Sequence, residues 1–422
     1  MPDYKGIEYL RAKLSQKRER VRLRYKYYEM KNAGKYYNSI IPENFKPLTS
    51  ALGWCGKAVD SIADRVIFHE FGNDNFDFNN IYQMNNADVL FDSAILSALI
   101  SSCCFIYISK GDDGFPRLQV IDGANATGVI DDVTGLLREG YAVLDRDEYG
   151  LPVLEAHFKV GETTFYPKNE KEYTVTNKAP YPLLVPIIHR PDAVRPFGHS
   201  RISRSCMDIM EAARRTLLRS EVAAEFYSFP QKYVTGLDPD AEQLDKWKAT
   251  MSSFLQFDKD EDGDKPTLGQ FTTASMTPFV EQLKMLASVF AGETGLITDD
   301  LGFSTENPSS AEAIRASHVN LNNTARKAQR TFGTGFLNAG YLAACIRDNF
   351  PYRRNQVYLT KARWEPIFEP DMSALSLIGD GAIKLNQAIP GYLTKENLRD
   401  LTGIESEDGG LDIDSYVNNG GE

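Results

Sequence analysis

Between Cys103 and about Pro186 the sequence changes period. The runs CFIYIS, RLQVID, GYAVLD, PVLEAHFKV and EYTVTN are short and β-rich, with apolar residues recurring at every second position. They are separated by turn chemistry: Gly111-Asp112-Asp113-Gly114, Asp131-Asp132 and Glu148-Tyr149-Gly150. None of these connections is long enough to hold a crossover helix, so the strands are predicted to run antiparallel as a meander. A doubly wound nucleotide-binding sheet is excluded on the same ground, and helical patterns on both sides make the class α+β.

Before the β-rich stretch, Tyr4 to Lys31 reads as a basic amphipathic helix with Ile7, Leu10, Leu14, Val21 and Tyr28 as its apolar stripe. The interleaved Glu19 and Glu29 and the modest apolar face favour packing against protein over a membrane surface. A second helix is expected near Pro47 to Phe68. A third, Asp88 to Ser101, is apolar on nearly all sides and should lie in the core. At 422 residues the chain is expected to form two or more lobes.

After Pro196, the string FGHSRI opens a helix from Ile202 to Tyr227, with Cys206, Ile209, Ala213, Leu217 and Ala224 on its apolar side. Pro230 closes it. A small lobe follows, with strand-like QKYV, a polar helical stretch around Asp240 to Phe254, and FLQFD and LGQFTT on either side of an acidic turn. Thr277 is predicted as the N-cap of a second helix, Pro278 to Ala291, which the Gly292/Gly295 pair ends. A polar loop leads to the longest helical run, capped by Ser309 and Glu312, carried to Phe350 and bent at Gly333 and Gly335. The strand VYLTKARWEPI, short helices at Met372 to Ala388 and Thr394 to Leu401, and a disordered tail complete the reading.

Chemistry-bearing motifs are sparse. Five cysteines without C-x-x-C spacing read as buried, reduced thiols. Gly53-Trp54-Cys55-Gly56-Lys57-Ala58 has the wrong glycine spacing for a phosphate cradle, and Ala58 stands where a hydroxyl is required. Asp258, Asp260 and Asp262 open like a calcium loop, but position twelve is Gly269 instead of glutamate, so a solvated turn is expected. His199-Ser200 lacks a nucleophile elbow. Asp299-Asp300 has no histidine nearby to make a metal site. Neither a catalytic residue nor a cofactor is expected, and no apolar run approaches the roughly 20 residues of a membrane span. The opening MPDYKGIEYL lacks a signal-peptide core, which points to folding in a cytoplasm.

Charge is uneven. Lys5 to Lys35 holds eleven bases against three acids, and Glu365 to Glu422 holds twelve acids against three bases. Such poles suit different partners at opposite ends of an assembly.

The order helix, β-containing insert, helix, loop, long helix occurs together with FGHSRI, FPQKYVTGL, LITDDLGFSTENPSSAEAIRAS, RWEP and the early WCGKAVDSIADRVIFHEF. In this order the strings resemble the portal proteins of tailed bacteriophages with long non-contractile tails, over roughly Phe45 to Leu401. The resemblance implies a twelve-subunit ring at one vertex of the virion capsid, with a central channel for double-stranded DNA in packaging and ejection, assembled in the host cytoplasm. It further implies docking of the large terminase subunit, of a head-completion or adaptor protein, and of capsid and scaffolding proteins.

Carried onto this chain, the resemblance makes residues 1–200 and 309–367 a wing, 201–227 and 277–291 a two-helix stem, and 228–276 a clip. Residues 292–308 become a tunnel loop, 368–404 a short crown and 405–422 an acidic tail. Asp299, Asp300, Phe303, Glu306 and Asn307 are the expected channel residues. Arg214, Arg215, Arg219, Glu221 and Glu281, beside the small Ala212, Ala213, Ser220, Ala223 and Ala224, are the expected contacts along the stem. Asp258, Asp260, Glu261 and Asp262 are the expected docking acids of the clip. The rival expectations are a metal-dependent hydrolase using loop carboxylates such as Asp299 or Asp260, and a DNA-binding or scaffolding module using the basic N-terminal helix.

Overall fold

The computed structural model describes residues 4–31, 50–228, 232–235, 267–270, 275–303, 316–367, 372–394, 397–398 and 402. Along the chain run α1 (Ile7–Tyr28), α2 (Trp54–Ala63), β1 (Phe68–Gly72), α3 (Phe78–Gln83) and α4 (Ala87–Ser101). Strands β2 (Cys103–Lys110), β3 (Pro116–Ile121), β4 (Ala126–Ile130), β5 (Leu137–Arg146), β6 (Pro152–Lys159), β7 (Glu162–Pro167), β8 (Tyr173–Thr176) and β9 (Leu184–Ile188) follow. Then come α5 (Arg204–Ser228), β10 (Lys232–Thr235), β11 (Thr267–Gln270), α6 (Thr277–Thr294), α7 (Val319–Arg347), β12 (Lys361–Trp364) and α8 (Met372–Ala388). The fold is α+β and divides into two units. One comprises Met1–Arg22, Val59–Arg201 and Val319–Glu422, and the other Leu23–Ala58 and Ile202–His318.

In the first unit every strand pair is antiparallel, as the period predicts, but the strands form more than one sheet. β4 to β8 make a five-stranded meander, whereas β2 lies between β3 and the returning β9 in a sheet of three. The reason lies in β2 itself: Cys103, Cys104, Phe105, Ile106 and Ile108 are all buried, so both faces of the strand need cover. β9 pairs only with β2, and an edge strand tolerates Pro186, which sits opposite Phe105. β1 pairs with β12, joining chain on either side of the second unit's segment.

Aromatic side chains fill the space between β1, α3, α4 and α7. Phe68 lies 4.1 Å from Phe91 and 5.3 Å from Trp364, and Phe91 lies 4.7 Å from both Tyr82 and Phe336. The buried Tyr82 hydroxyl is satisfied by donating to the Phe336 carbonyl at 2.6 Å. α7 is buried along most of its length, from Leu321 to Ile346. The helix is continuous through Gly333 and Gly335, the two positions expected to bend it. Both serve close approach, because an added Cβ would come within 2.8 Å of Ala362 and 2.7 Å of Ile187 respectively.

The basic helix α1 packs against protein. Leu10 and Leu14 join Tyr141 and Val143 in one apolar cluster. At its start the buried Glu139 carboxylate accepts the backbone N–H of Lys5 at 2.8 Å and of Gly6 at 3.0 Å, an anion at the positive end of a helix. Glu139 also meets His157 Nε2 at 2.7 Å. Arg11 pairs with Glu155 at 2.5 Å, Lys13 donates to the Gly128 carbonyl at 2.8 Å, and Lys17 lies over the rings of Phe105 and Phe197. Three cations of the helix are therefore occupied within the chain.

The five cysteines are free and buried. Ser200 is buried with its hydroxyl donating to the Ile100 carbonyl, and His199 Nε2 faces Asp192 at 2.5 Å, so the adjacent pair forms no nucleophile and base. Among the described residues no helix is long and apolar enough to cross a membrane. The predicted Ser309 cap, the Asp240 to Phe254 helix, most of the Thr394 to Leu401 helix and the acidic tail lie outside the described residues.

His189 provides a test of this core. It is fully buried beside Phe332, with Nδ1 against the His199 carbonyl at 2.7 Å and Nε2 without a hydrogen-bond partner among the described residues. Burial pushes its pKa down to about 3. The unfolded chain binds this proton below about 6.5 and the folded chain does not, so the stabilisation is present above that pH and is lost as pH falls toward 3. Between those limits the loss is about 1.4 kcal/mol per pH unit. Denaturant titrations from pH 7 to 4.5 should give a steeper decline for wild type than for His189→Asn, by about that slope.

Candidate functional site: a helix pair and the loop that leaves it

The second unit is organised by α5 and α6. On α5 the buried side chains Cys206, Met210 and Ala213 recur at helical spacing; on α6 they are Ala287, Phe290, Ala291 and Thr294. Burial is thus confined to the first half of α5 and the last half of α6. The remaining halves keep Tyr227, Val280 and Met285 more than half or about half exposed.

The cap of α6 differs from the sequence expectation. Met276 is the N-cap, with Thr277 and Pro278 in the first turn, and the Ser275 hydroxyl accepts the Thr277 N–H at 3.2 Å. The helix continues past Ala291 and Gly292 to Thr294, where Gly295 at φ 71° makes a left-handed C-cap.

Charged side chains on α5 have unequal fates. Arg214 is buried and makes two bonds to Glu211, at 2.8 and 3.2 Å, while Tyr27 donates to the other oxygen of that carboxylate at 3.0 Å. The Ser50 hydroxyl donates to the Arg214 carbonyl at 3.0 Å. Arg215, Arg219 and Glu221, and Glu281 on α6, are exposed. Tyr27 and Ser50 had not been singled out from the sequence. The spacing of Met210 and Arg214 does carry a signal, since residues four apart share the buried helix face.

Beyond Gly295, Leu296 and Leu301 are buried, and Asp299–Leu301 form one 3-10 turn ended by Gly302 at φ 90°. Asp300 turns inward, accepting the Ile297 N–H at 3.2 Å and facing His318 Nε2 at 3.4 Å. Asp299 is exposed. Phe303 meets Trp54 edge-on at 6.5 Å, and Trp54 in turn meets Phe290 at 5.5 Å. The loop is thereby pinned to α2 and α6, with one acid facing solvent and one held.

The Gly53 to Ala58 segment is part of this packing: Trp54 and Cys55 are buried, and burial pushes the Cys55 thiol up. A Cβ on Gly56 would lie 3.3 Å from the Tyr28 carbonyl, a close approach of backbones and not a phosphate cradle. Among the described residues no three His, Cys, Asp or Glu side chains gather as metal ligands. Glu306, Asn307, Asp258, Asp260, Glu261 and Asp262 lie outside the described residues. β10 and β11 pair from Lys232↔Gln270 to Thr235↔Thr267, so the KYV of QKYV and the LGQ of LGQFTT lie in strands as expected.

The model of the family described as phage portal protein, SPP1 Gp6-like, matches residues 7–370. The chain is 24% identical over 402 residues to the portal protein of Mycobacterium phage L5, covering 88% of this chain and 80% of that protein. To the portal protein of Mycobacterium phage D29 it is 25% identical over 398 residues, with the same coverage. Among solved structures, a chain from the neck of an empty gene transfer agent particle has a TM-score of 0.45 at 13% identity, covering 90% of this chain and 94% of that one. One from the neck of the native particle has a TM-score of 0.43 at 14% identity, covering 89% and 98%.

The Arg214 and Glu211 pair is open to direct measurement. Replacing Arg214 by Met strands a buried carboxylate, and chemical denaturation should give a loss of about 3–5 kcal/mol. Arg215→Met, on the exposed side, should change stability by less than about 1 kcal/mol.

Proposed function

This chain belongs to the SPP1 Gp6-like family of phage portal proteins, and we propose that α5 and α6 line a DNA channel in a ring of twelve copies at the capsid vertex. One observation carries the reading: a helix pair buried over only half its length, whose exposed half still presents apolar side chains, next to a pinned loop with an outward acid. Neighbouring copies would cover that surface, with the exposed Arg215 and Arg219 of one stem meeting Glu221 or Glu281 of the next.

The proposed wing is residues 1–200 and 309–367 and the proposed stem 201–227 and 277–291; the unit boundary at Arg201/Ile202 agrees with the start of the stem, whereas Leu23–Ala58 and the residues up to His318 group with the second unit and not with the rest of the wing. The clip at 228–276 would dock the large terminase subunit and later the head-completion protein through Asp258, Asp260, Glu261 and Asp262. Residues 368–404 would form the crown, and the wing would meet capsid and scaffolding proteins. Residues 292–308 would be the narrowest part of the lumen.

Electrostatics favours such a conduit. Each Lys or Arg bound to a DNA phosphate adds affinity through counterion release and would arrest sliding. A formal charge of −11 per chain, with Asp299 turned outward, keeps a lumen repulsive to phosphate. The role proposed is structural. Asp299-Asp300 does have a histidine nearby, against the sequence expectation, since His318 Nε2 lies 3.4 Å from Asp300. The observation against a metal-dependent hydrolytic centre is that among the described residues no three His, Cys, Asp or Glu side chains gather there.

Electron microscopy of the purified protein tests the ring: annular particles with an axial hole are expected, and compact particles without a channel would sink the reading. Within an assembled particle, exchanging Asp299 and Asp300 for lysine should reduce packaged or ejected DNA. Unchanged genome delivery would remove the loop from the mechanism.

A further inference from the structure

The first unit carries a groove and a projecting turn that match each other and lie at opposite ends of one strand. The groove, about 870 Å³, is bounded by the β4–β5 turn, the loop at 191–196 and the exposed side of α7. Two of its three acids are already engaged, and the third, Asp132, is exposed. Asp131 faces Arg138 at 3.4 Å and holds the Val133 N–H, while Asp192 faces His199 at 2.5 Å and holds the N–H groups of Val194 and Arg195. Its cations are not: among the described residues Lys327 and Arg330, both exposed on α7, make no ion pair. Val133 and Val194, on the two bounding loops, are 91% and 87% exposed.

The β5–β6 turn has the complementary character. Tyr149 is 89% exposed and Leu151 55%, and Glu148 beside them is exposed without an ion pair among the described residues. The turn is rigid: Asp147 accepts the N–H groups of Tyr149 and Leu151 at 3.1 and 2.8 Å and pairs with Lys168 at 3.0 Å. A fixed turn presenting an amphipathic aromatic side chain beside a free carboxylate fits a groove with apolar rims and free cations.

β5 runs from Leu137 to Arg146, and at about 3.3 Å per residue its ends are some 30 Å apart. The groove takes the turn at one end of β5 and the projection is the turn at the other, so the two surfaces cannot meet within one chain. Unlike patches on one molecule associate head to tail, and that heterologous geometry gives a ring where the rotation between copies closes and an open filament where it does not.

We propose that the β5–β6 turn of one copy seats Tyr149 in this groove of the next, with Glu148 against Lys327 and Arg330. The proposal rests on the ring reading and names one of the contacts that would build it.

The test places cysteines at Tyr149→Cys and Thr334→Cys in one chain, both on exposed sites, while the five native cysteines are buried. Under a mild thiol oxidant the double variant should give a ladder of covalent multimers that collapses with reductant, and neither single variant should. Independently, Glu148→Arg should lower the assembled fraction seen by light scattering, and adding Arg330→Glu should restore it. If wild type assembles, but the double variant stays monomeric on denaturing gels and Glu148→Arg assembles normally, the proposal is overturned while the ring reading stands. If wild type is monomeric at every concentration, the ring reading fails and this contact with it.

Discussion

The aromatic cluster around Phe68, Phe91, Phe336 and Trp364 is the contact on which the first unit depends. The Tyr82 hydroxyl bond to Phe336 spans 254 residues of sequence, and β1 pairs with β12 across a similar interval. Between these partners the chain runs through the Ile202–His318 part of the second unit. Closing so long a loop costs entropy that local structure does not return, so the closure must bury large apolar groups. Phenylalanine and tryptophan supply that area, and their tilted and edge-on geometries contribute about 0.5–1.5 kcal/mol per pair beyond burial. The small residues of α7 belong to the same constraint, because Gly333 and Gly335 let β12 and β9 come close to the helix.

Local features were the most legible in the sequence. Helix α8 starts at Met372 and ends at Ala388, the limits its spacing predicts, and α4 is the core helix its all-round apolar character requires. The antiparallel strands follow from the period and from connections too short for a crossover. What the pattern did not carry is pairing at a distance. A period of two places a strand in a sheet but does not choose its neighbours, so β9 returning to β2 was hidden, as was the division into separate sheets. Glycine is ambiguous in the same way: within a helix it permits either a bend or close packing, and only the neighbouring β12 and β9 decide between them.

At the helix pair the limits of the sequence are of another kind. Arg214 and Arg215 are adjacent and chemically identical, yet one is buried and bonded to Glu211 while the other faces solvent. The difference is one of phase along the helix. Arg214 follows Met210 by four residues and Glu211 by three, which turns it onto the buried face and gives it a carboxylate to meet there. Asp299 and Asp300 differ by the same logic, since the 3-10 turn directs Asp300 back to the Ile297 amide. Trp54 opens the string WCGKAVDSIADRVIFHEF, but the sequence does not show what its ring packs against; the fold sets it between Phe290 and Phe303.

The distribution of charge joins these observations. The sequence places an excess of bases near the N-terminus, which taken alone suggests an arm for nucleic acid. The fold uses part of that charge internally: Arg11 on Glu155, Lys13 on a carbonyl and Lys17 over aromatic rings; in the second unit it does the same with Arg214, on Glu211. A cation held in this way contributes to stability and recognition within the chain but offers little to a passing phosphate. Because each phosphate contact adds to affinity through counterion release, the cations that are held within the chain, together with an exposed acid such as Asp299, lower its affinity for DNA without losing the packing these basic side chains provide. A surface of that kind suits a conduit, which has to surround nucleic acid and still let it move.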